Sequence, residues 1–195
     1  MDFHAAEFKW LRKAMLMTLK AMDPFPAVLM DRYGKLLMVN RGWVALYRKS
    51  MSAEQLNGVN NHYDMLFNGP RTVPRPADWG LTLSLILMAL KQEALISDDP
   101  IYLSMLEKLA SHPDVPVDWL QRAAKMEPMA SFRVHAELAG ELQSFFCVSQ
   151  AVGAMGPTIY VSEPRLIINT LYPEQEDLDL SEFLQDHLEH PLLPY

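Results

Sequence analysis

Two histidines near the C-terminus have the types and spacing closest to a metal site. His187 and His190 lie three positions apart, with Asp186 and Glu189 beside them. On a helix this spacing would turn both imidazoles to one side, where they could bind zinc. A zinc site also needs a third and a fourth ligand. A solvated acidic helix end is therefore favoured over a metal site, and we expect neither a metal nor another cofactor.

Two further pairs could carry nucleophilic or acid–base chemistry. Cys147 and His135 could act as nucleophile and base only if the strands pair so that both share one face. Such a pair would also need an oxyanion site, so an inert buried cysteine is favoured. Glu137 and Glu141 flank a turn and are expected to face solvent. Because the sequence also lacks P-loop, GxGxxG, HExxH and GxSxG motifs, we predict no catalytic residue and no enzyme.

Composition fits one folded module in a reducing compartment. Half of the residues are hydrophobic and 21% are charged, which excludes general disorder. The net charge of −7 argues against direct contact with nucleic acid, which needs a basic face. A single cysteine and an N-terminus without a signal peptide indicate a cytoplasmic protein. The longest apolar stretch, Leu81 to Leu90, is too short for a bilayer and predicts a buried helix.

The elements that would position a site begin with a hairpin. Two apolar runs, Ala27–Met30 and Leu36–Val39, flank a polar turn in which Gly34 can adopt a positive φ. Asn40 then caps a helix that starts at Arg41. Because both strands are almost continuously apolar, we expect this hairpin to be covered on both faces.

An amphipathic helix is predicted before the hairpin, over residues 3–22. It ends at Asp23-Pro24-Phe25-Pro26, where two prolines force an extended connector. This helix would cover one sheet face, and its remaining apolar residues, Phe3 and Trp10 among them, would need a second chain. We therefore expect a homodimer, and a membrane surface is a weaker alternative.

A helical region and three more strands follow the hairpin. A short helical turn around Tyr63–Phe67, a long helix over 78–96, a helix over 99–111 capped by Asp99 and Pro100, and a helix over 117–125 are predicted. Strands are predicted over 131–151, 165–171 and, within an insertion, 158–161, and an acidic helix from Leu180 ends the chain.

The hairpin over 131–151 has two competing registers. A two-residue turn at Gly140-Glu141 suits the turn chemistry, since glycine belongs at the first central position. A three-residue loop over 139–141 instead gives a cleaner apolar face, with Phe132 beside Val148. The choice decides which side chains face inward, because a slip of one residue turns every side chain over, and the sequence leaves it open.

Several segments form a recognisable set; they are Leu19-Lys20-Ala21-Met22-Asp23-Pro24-Phe25-Pro26-Ala27, Asp31 with Asn40-Arg41, FRVHAELAGEL at 132–142 and RLIINTLYPE at 165–174. Together they resemble the ligand-binding domain of MmyB-like transcription regulators, a PAS-like family. The resemblance spans about residues 15–175. It implies an α+β fold with a PAS-like antiparallel five-stranded sheet, a helical layer and an N-terminal covering helix. We divide the chain into a linker or cover helix (1–22), a PAS-like domain (23–175) and an acidic helix with tail (176–195).

The resemblance also implies a function. In this family a fatty-acid-like molecule can sit between sheet and helices, and an XRE-type helix-turn-helix precedes the domain. No helix-turn-helix precedes residue 15, so we expect no DNA contact by this chain itself. We predict a sensory domain of a transcription regulator that binds a lipophilic small molecule such as a fatty acid between the inner sheet face and the helices at 78–96 and 99–111. The alternatives are a PAS-like dimerisation module without ligand and a small α+β enzyme. The expected ligand contacts are Met38, Trp43, Phe67, Leu83, Leu87, Leu103, Leu106, Phe132 and Phe146.

Overall fold

The computed structural model describes residues 2–69, 79–125, 133–138, 140–152, 166–184 and 187–195. The chain divides into two compact units. A sheet unit comprises Met1–Pro74 and Arg133–Tyr195, and a helical unit comprises Arg75–Phe132. The helices are α1 (Lys9–Met22), α2 (Arg41–Tyr47), α3 (Ala53–Asn57), α4 (His62–Asn68), α5 (Trp79–Ser97), α6 (Pro100–Ala110) and α7 (Trp119–Ala124), with 3-10 turns at Ala6–Phe8 and Ser181–Leu184.

Five antiparallel strands form one sheet in the order β2-β1-β5-β4-β3. They are β1 (Ala27–Asp31), β2 (Leu36–Val39), β3 (Arg133–Leu138), β4 (Glu141–Val152) and β5 (Leu166–Pro173). The last strand therefore lies between the two hairpins, paired with β1 on one side and β4 on the other. This confirms the predicted α+β class with a five-stranded antiparallel sheet. The predicted strand at 158–161 lies outside the described residues.

The first hairpin forms as the sequence predicts. Gly34 has a φ of +78° in the turn, a conformation that glycine adopts without steric cost. All four residues of β2 are buried, as are the first four of β1, which confirms that the hairpin is covered on both faces. Asn40 caps α2, because its side chain accepts a hydrogen bond from the Trp43 backbone N–H at 2.9 Å.

The second hairpin has neither of the two registers considered from sequence. Leu138 pairs with Glu141 and Val134 with Phe145, so two residues connect the strands, one position earlier than a Gly140-Glu141 turn would place them. Gly140 has a φ of +82°. Paired residues share a face of the sheet, and successive residues of a strand point to opposite faces. Phe145 therefore points to one face, here called the inward face, and Phe146 points to the other, the outer face. Packing decides this register, because it places Phe145 in the core, where the side chain is fully buried.

Two apolar clusters cover the two faces of the sheet. The first, here called the α1-side cluster, joins the inner face of α1 to one sheet face; its buried members are Phe3, Met15, Leu19, Ala27, Leu29, Leu37, Met38, Leu166 and Ile168. The second, here called the helix-side cluster, covers the other face; its buried members are Val28, Leu36, Val39, Trp43, Val44, Leu46, Tyr47, Met51, Leu56, Met65, Ala136, Leu138, Phe145, Leu171 and Leu180. α1 thus has the predicted role of a cover, and Phe3 is buried within this chain, so the expectation that Phe3 needs a second chain was wrong.

The predicted C-terminal helix does not form in the described residues of this segment. Ser181–Leu184 form one 3-10 turn, and residues 187–190 have no regular secondary structure. Leu180, Phe183 and Leu188 of this segment pack on the helix-side cluster. A continuous helix would present its apolar side chains along one stripe of its surface. Residues 187–190, which have no regular secondary structure, instead bring Leu188 to the cluster that Phe183 also contacts, and this explains the difference.

The helical unit has the helices predicted for it. α5 contacts α6 and α7. Asp99 caps α6 by accepting a hydrogen bond from Ile101 N–H at 3.0 Å, and Pro100 occupies the first turn, both as predicted. By length and composition, α5 is the one candidate membrane span among the described residues, with 33% of its window buried. A core helix of a soluble protein passes the same test, so this is weak evidence for a membrane.

Candidate functional site

Helix α2 is the centre of the helix-side cluster. Each of its residues from Gly42 to Tyr47 is buried, although only one side of a helix can face the sheet. The sequence explains this, because Gly-Trp-Val-Ala-Leu-Tyr is apolar all round, a pattern typical of a fully covered helix. The Trp43 and Tyr47 rings lie one turn apart with centroids 4.9 Å from each other.

The C-terminal segment packs against α2 and the same cluster. Arg41 donates a hydrogen bond to the Leu184 carbonyl, and Arg48 donates one to the His187 carbonyl at 3.1 Å. Apolar side chains of the segment pack on the cluster; they are Leu178, Leu180, Phe183, Leu188, Leu192 and Leu193. Sequence reasoning missed this contribution. The signal that could have found it is the density of leucines in a stretch that is otherwise acidic.

Two polar groups of the cluster are neutral at physiological pH. Burial raises the pKa of the Cys147 thiol to about 11. Burial, and then the neighbouring Cys147, raises the pKa of the Tyr47 phenol above its usual value. A thiol with such a pKa is not a nucleophile at neutral pH, because the reactive species is the thiolate. The cluster therefore offers apolar surface with two neutral polar groups.

The candidate nucleophile and base are on opposite faces of the sheet. Cys147 lies on the inward side with Phe145, two positions away on the same strand. His135 lies opposite Ser144, and its Nδ1 is 2.9 Å from the Ser144 hydroxyl. The register thus separates the pair that sequence reasoning had considered and favours the inert cysteine.

The two C-terminal histidines have different environments. His187 is exposed and lies 3.7 Å from the Glu189 carboxylate. His190 is buried; its Nε2 donates to the Leu56 carbonyl and its Nδ1 accepts from the Leu192 N–H, both at 3.1 Å. A carbonyl can only accept, so these bonds fix the neutral tautomer and leave no lone pair for a metal. No cluster of three or more metal-binding side chains occurs in the described part of the chain.

A polar junction ties the end of α1 to the start of α2. The buried Asn40 side chain donates to the Phe25 carbonyl at 2.8 Å and to the Leu19 carbonyl at 3.4 Å. It also accepts from the Ala27 N–H at 2.8 Å. The Asp23 carboxylate accepts from the Gly42 N–H at 3.1 Å. A movement of α2 would therefore strain the bonds that hold the last turn of α1.

The residues expected to contact a ligand are spread over the molecule. Trp43 belongs to the helix-side cluster, whereas Met38 belongs to the α1-side cluster. Phe67 is buried on α4, and Phe146 is 37% exposed on the outer face of β4. In the helical unit Leu83 and Leu87 are buried, Leu106 is half-buried and Leu103 is 51% exposed. Phe132 lies outside the described residues. The structure thus does not bring Met38 and Phe146 together with Trp43, and ligand contact by any of the nine stays a prediction.

Comparison with known proteins gives a family match and a similar solved structure. Residues 11–165 match the model of the MmyB-like transcription regulator ligand binding domain. The solved PAS domain of Bordetella pertussis BvgS is similar over 91% of this chain and 93% of its own, at 14% sequence identity and a TM-score of 0.39. Comparison with curated protein sequences returns no match.

Proposed function

Because the chain belongs to the family of MmyB-like transcription regulator ligand-binding domains, we propose that it senses an apolar small molecule such as a fatty acid. The observation that carries the proposal is the helix-side cluster. Its apolar side chains lie between the sheet and α2, beside two neutral polar groups, Tyr47 and Cys147. Ligand sites are typically apolar with a few polar groups that orient the ligand. As part of a transcription regulator the chain would act in the cytoplasm and perform no chemistry.

Signal transfer in this proposal runs from α2 to α1. A ligand in the helix-side cluster would contact Trp43, and the start of the same helix is bonded to the α1 end through Asn40 and Asp23. A ligand shifts such an arrangement only by its differential affinity for two states, typically about 1–3 kcal/mol of coupling. α1 would then pass the change to a DNA-binding domain.

The direct test is to identify what the purified protein carries. Native mass spectrometry and organic extraction should detect a co-purified fatty acid or similar molecule. Titration with cis-parinaric acid, a fluorescent fatty acid, should then show saturable binding. Protein without a bound lipid that also fails to bind the probe would favour the alternative of a dimerisation module whose core is filled by its own side chains.

A matched pair of tryptophan variants locates the site. Trp43 is buried in the helix-side cluster, whereas Trp10 is 65% exposed on α1. Trp43→Phe keeps an aromatic ring but removes contact area, so we expect probe affinity to fall about 5-fold. Trp10→Phe should bind as the wild type does. Equal affinities in both variants would place the ligand away from the helix-side cluster.

A further inference from the structure

The last nine residues connect the helix-side cluster with the end of α1. Residues 187–195, here called the C-terminal latch, begin on the helix-side cluster at α2. His190 donates to the α3 carbonyl of Leu56 at 3.1 Å, and its ring meets the Trp43 ring edge-on with centroids 5.5 Å apart. The Val39 N–H of β2 donates to the Leu192 carbonyl at 2.9 Å. The latch therefore contacts three elements around the cluster.

The other end of the latch lies at the α1 junction. The Tyr195 hydroxyl donates to the Asp23 carboxylate at 2.9 Å, and the Lys20 ammonium lies 5.6 Å from the centre of the Tyr195 ring. Asp23 at the same time accepts from the Gly42 N–H. One carboxylate thus joins the last turn of α1, the first turn of α2 and the C-terminal residue.

The latch is held by the rest of the sheet unit rather than by itself. It forms no helix or strand, and the hydrogen bonds within it are those of Leu192 and Leu193 to His190. Segments with few internal bonds open locally at a lower free-energy cost than the core does. A displacement of Trp43 or Leu56 would therefore move His190 first. The five residues that follow His190 would pass this movement to Tyr195.

We propose that the C-terminal latch is a regulatory element that couples the helix-side cluster to the position of α1. A docked latch holds the α1 end through Asp23 and Lys20, and a released latch frees it. This inference rests on the proposed sensory function for its biological role. The coupling between latch and α1 is a property of the chain itself, however, and can be measured without ligand.

Hydrogen–deuterium exchange of the full chain tests the latch directly. Tyr195→Phe removes the hydroxyl that bonds Asp23 and keeps the ring over Lys20. We expect the amides of the last α1 turn to exchange about 5-fold faster, the effect of one lost hydrogen bond on local opening. β5 should be unaffected. Tyr172→Phe removes the same atom from a tyrosine outside the latch, and α1 should exchange as in the wild type.

A second variant acts at the other end of the latch. Leu192→Ala weakens its packing on the helix-side cluster and leaves every α1 contact in place. It should also accelerate α1 exchange if the latch transmits the change. Unchanged α1 exchange in both latch variants, or equal acceleration in α1 and β5, would overturn the proposal, because the first shows no coupling and the second shows only general destabilisation.

The probe separates this proposal from the proposed ligand class. With cis-parinaric acid at saturation of both proteins, α1 exchange should change in the wild type and change less in Tyr195→Phe. If the probe changes α1 exchange in Tyr195→Phe as much as in the wild type, the coupling runs by another route and the latch proposal is contradicted. A probe that fails to bind the wild type would overturn the proposed ligand class, while the ligand-free exchange still decides for or against the latch.

Discussion

His62 is the side chain whose charge state has the clearest consequence for stability. Its Nδ1 is buried and has no hydrogen-bond partner among the described residues, and burial lowers the pKa of His62 to about 4. The folded chain therefore prefers the neutral imidazole, whereas the unfolded chain protonates near pH 6.5. The contribution of neutral His62 to the free energy of unfolding is complete above pH 6.5 and is lost as the pH falls towards 4.

The lowered pKa of His62 predicts a measurable change of stability with pH. The free energy of unfolding in urea should fall by at most about 3 kcal/mol between pH 6.5 and 4 on account of His62. His62→Gln should flatten that part of the profile. His187→Gln is the matched control, because His187 is exposed and its substitution should leave the profile unchanged. A His62→Gln profile as steep as the wild-type profile would contradict the assignment.

Helix α2 approaches the connector before β1 so closely that its second residue must be glycine. A Cβ on Gly42 would collide with the Pro24 carbonyl oxygen and lie 2.9 Å from the Pro24 carbonyl carbon. Both atoms belong to the backbone, so the helix or the connector would have to shift. The same connector carries Asp23, so the close contact also keeps the polar junction at its observed distances.

Gly42→Ala should therefore lower the free energy of unfolding by about 2 kcal/mol, the usual cost of overpacking a rigid contact. Gly58→Ala is a matched control, since its Cβ would lie 3.4 Å from the nearest atom, the Gln55 carbonyl oxygen. That substitution should be neutral or stabilise by up to about 1 kcal/mol. Urea denaturation measures the free energy of unfolding of both variants. Equal stabilities would show that the connector can move away from α2.

The outer face of α1 is where a second copy of the chain could pack. Trp10 is 65% exposed and Met17, two turns later on the same side, is 62% exposed. The Lys9 and Lys13 ammonium groups each lie 5.7 Å from the centre of the Trp10 ring. Two copies of this face would bring like charges together, so a dimer formed here should strengthen as salt screens the repulsion.

The double variant Trp10→Lys with Met17→Lys should shift the proposed homodimer to monomer in light scattering at matched concentration. Leu95→Lys with Ile96→Lys places the same charges on two exposed positions of α5 and should leave the mass unchanged. A truncation at Asp23 is less informative, because it would also uncover the α1-side cluster. A dimer that persists in the α1 double variant would place the interface elsewhere.

Local signals in the sequence were sufficient for most elements and for the family. Asn40 and Asp99 cap helices through their own side chains, and Gly34 turns the first hairpin, each within a few residues along the chain. The continuous apolar runs of β1 and β2 correctly predicted cover on both faces. Several of the residues that carried the family resemblance, Asp23 and Asn40 among them, form the polar junction between α1 and α2.

The tertiary structure decided the features that depend on distant partners. The register of β3 and β4 follows from burying Phe145, which no turn residue specifies. The path of the C-terminal segment follows from contacts with α2 and α3, more than a hundred residues earlier, which override the local helical pattern of 181–190. Likewise Met38 and Val39, which are neighbours in β2 and both apolar, are on opposite sheet faces. Hydrophobicity determines that such residues are buried; the pleat and the pairing of the strands determine the side on which each is buried.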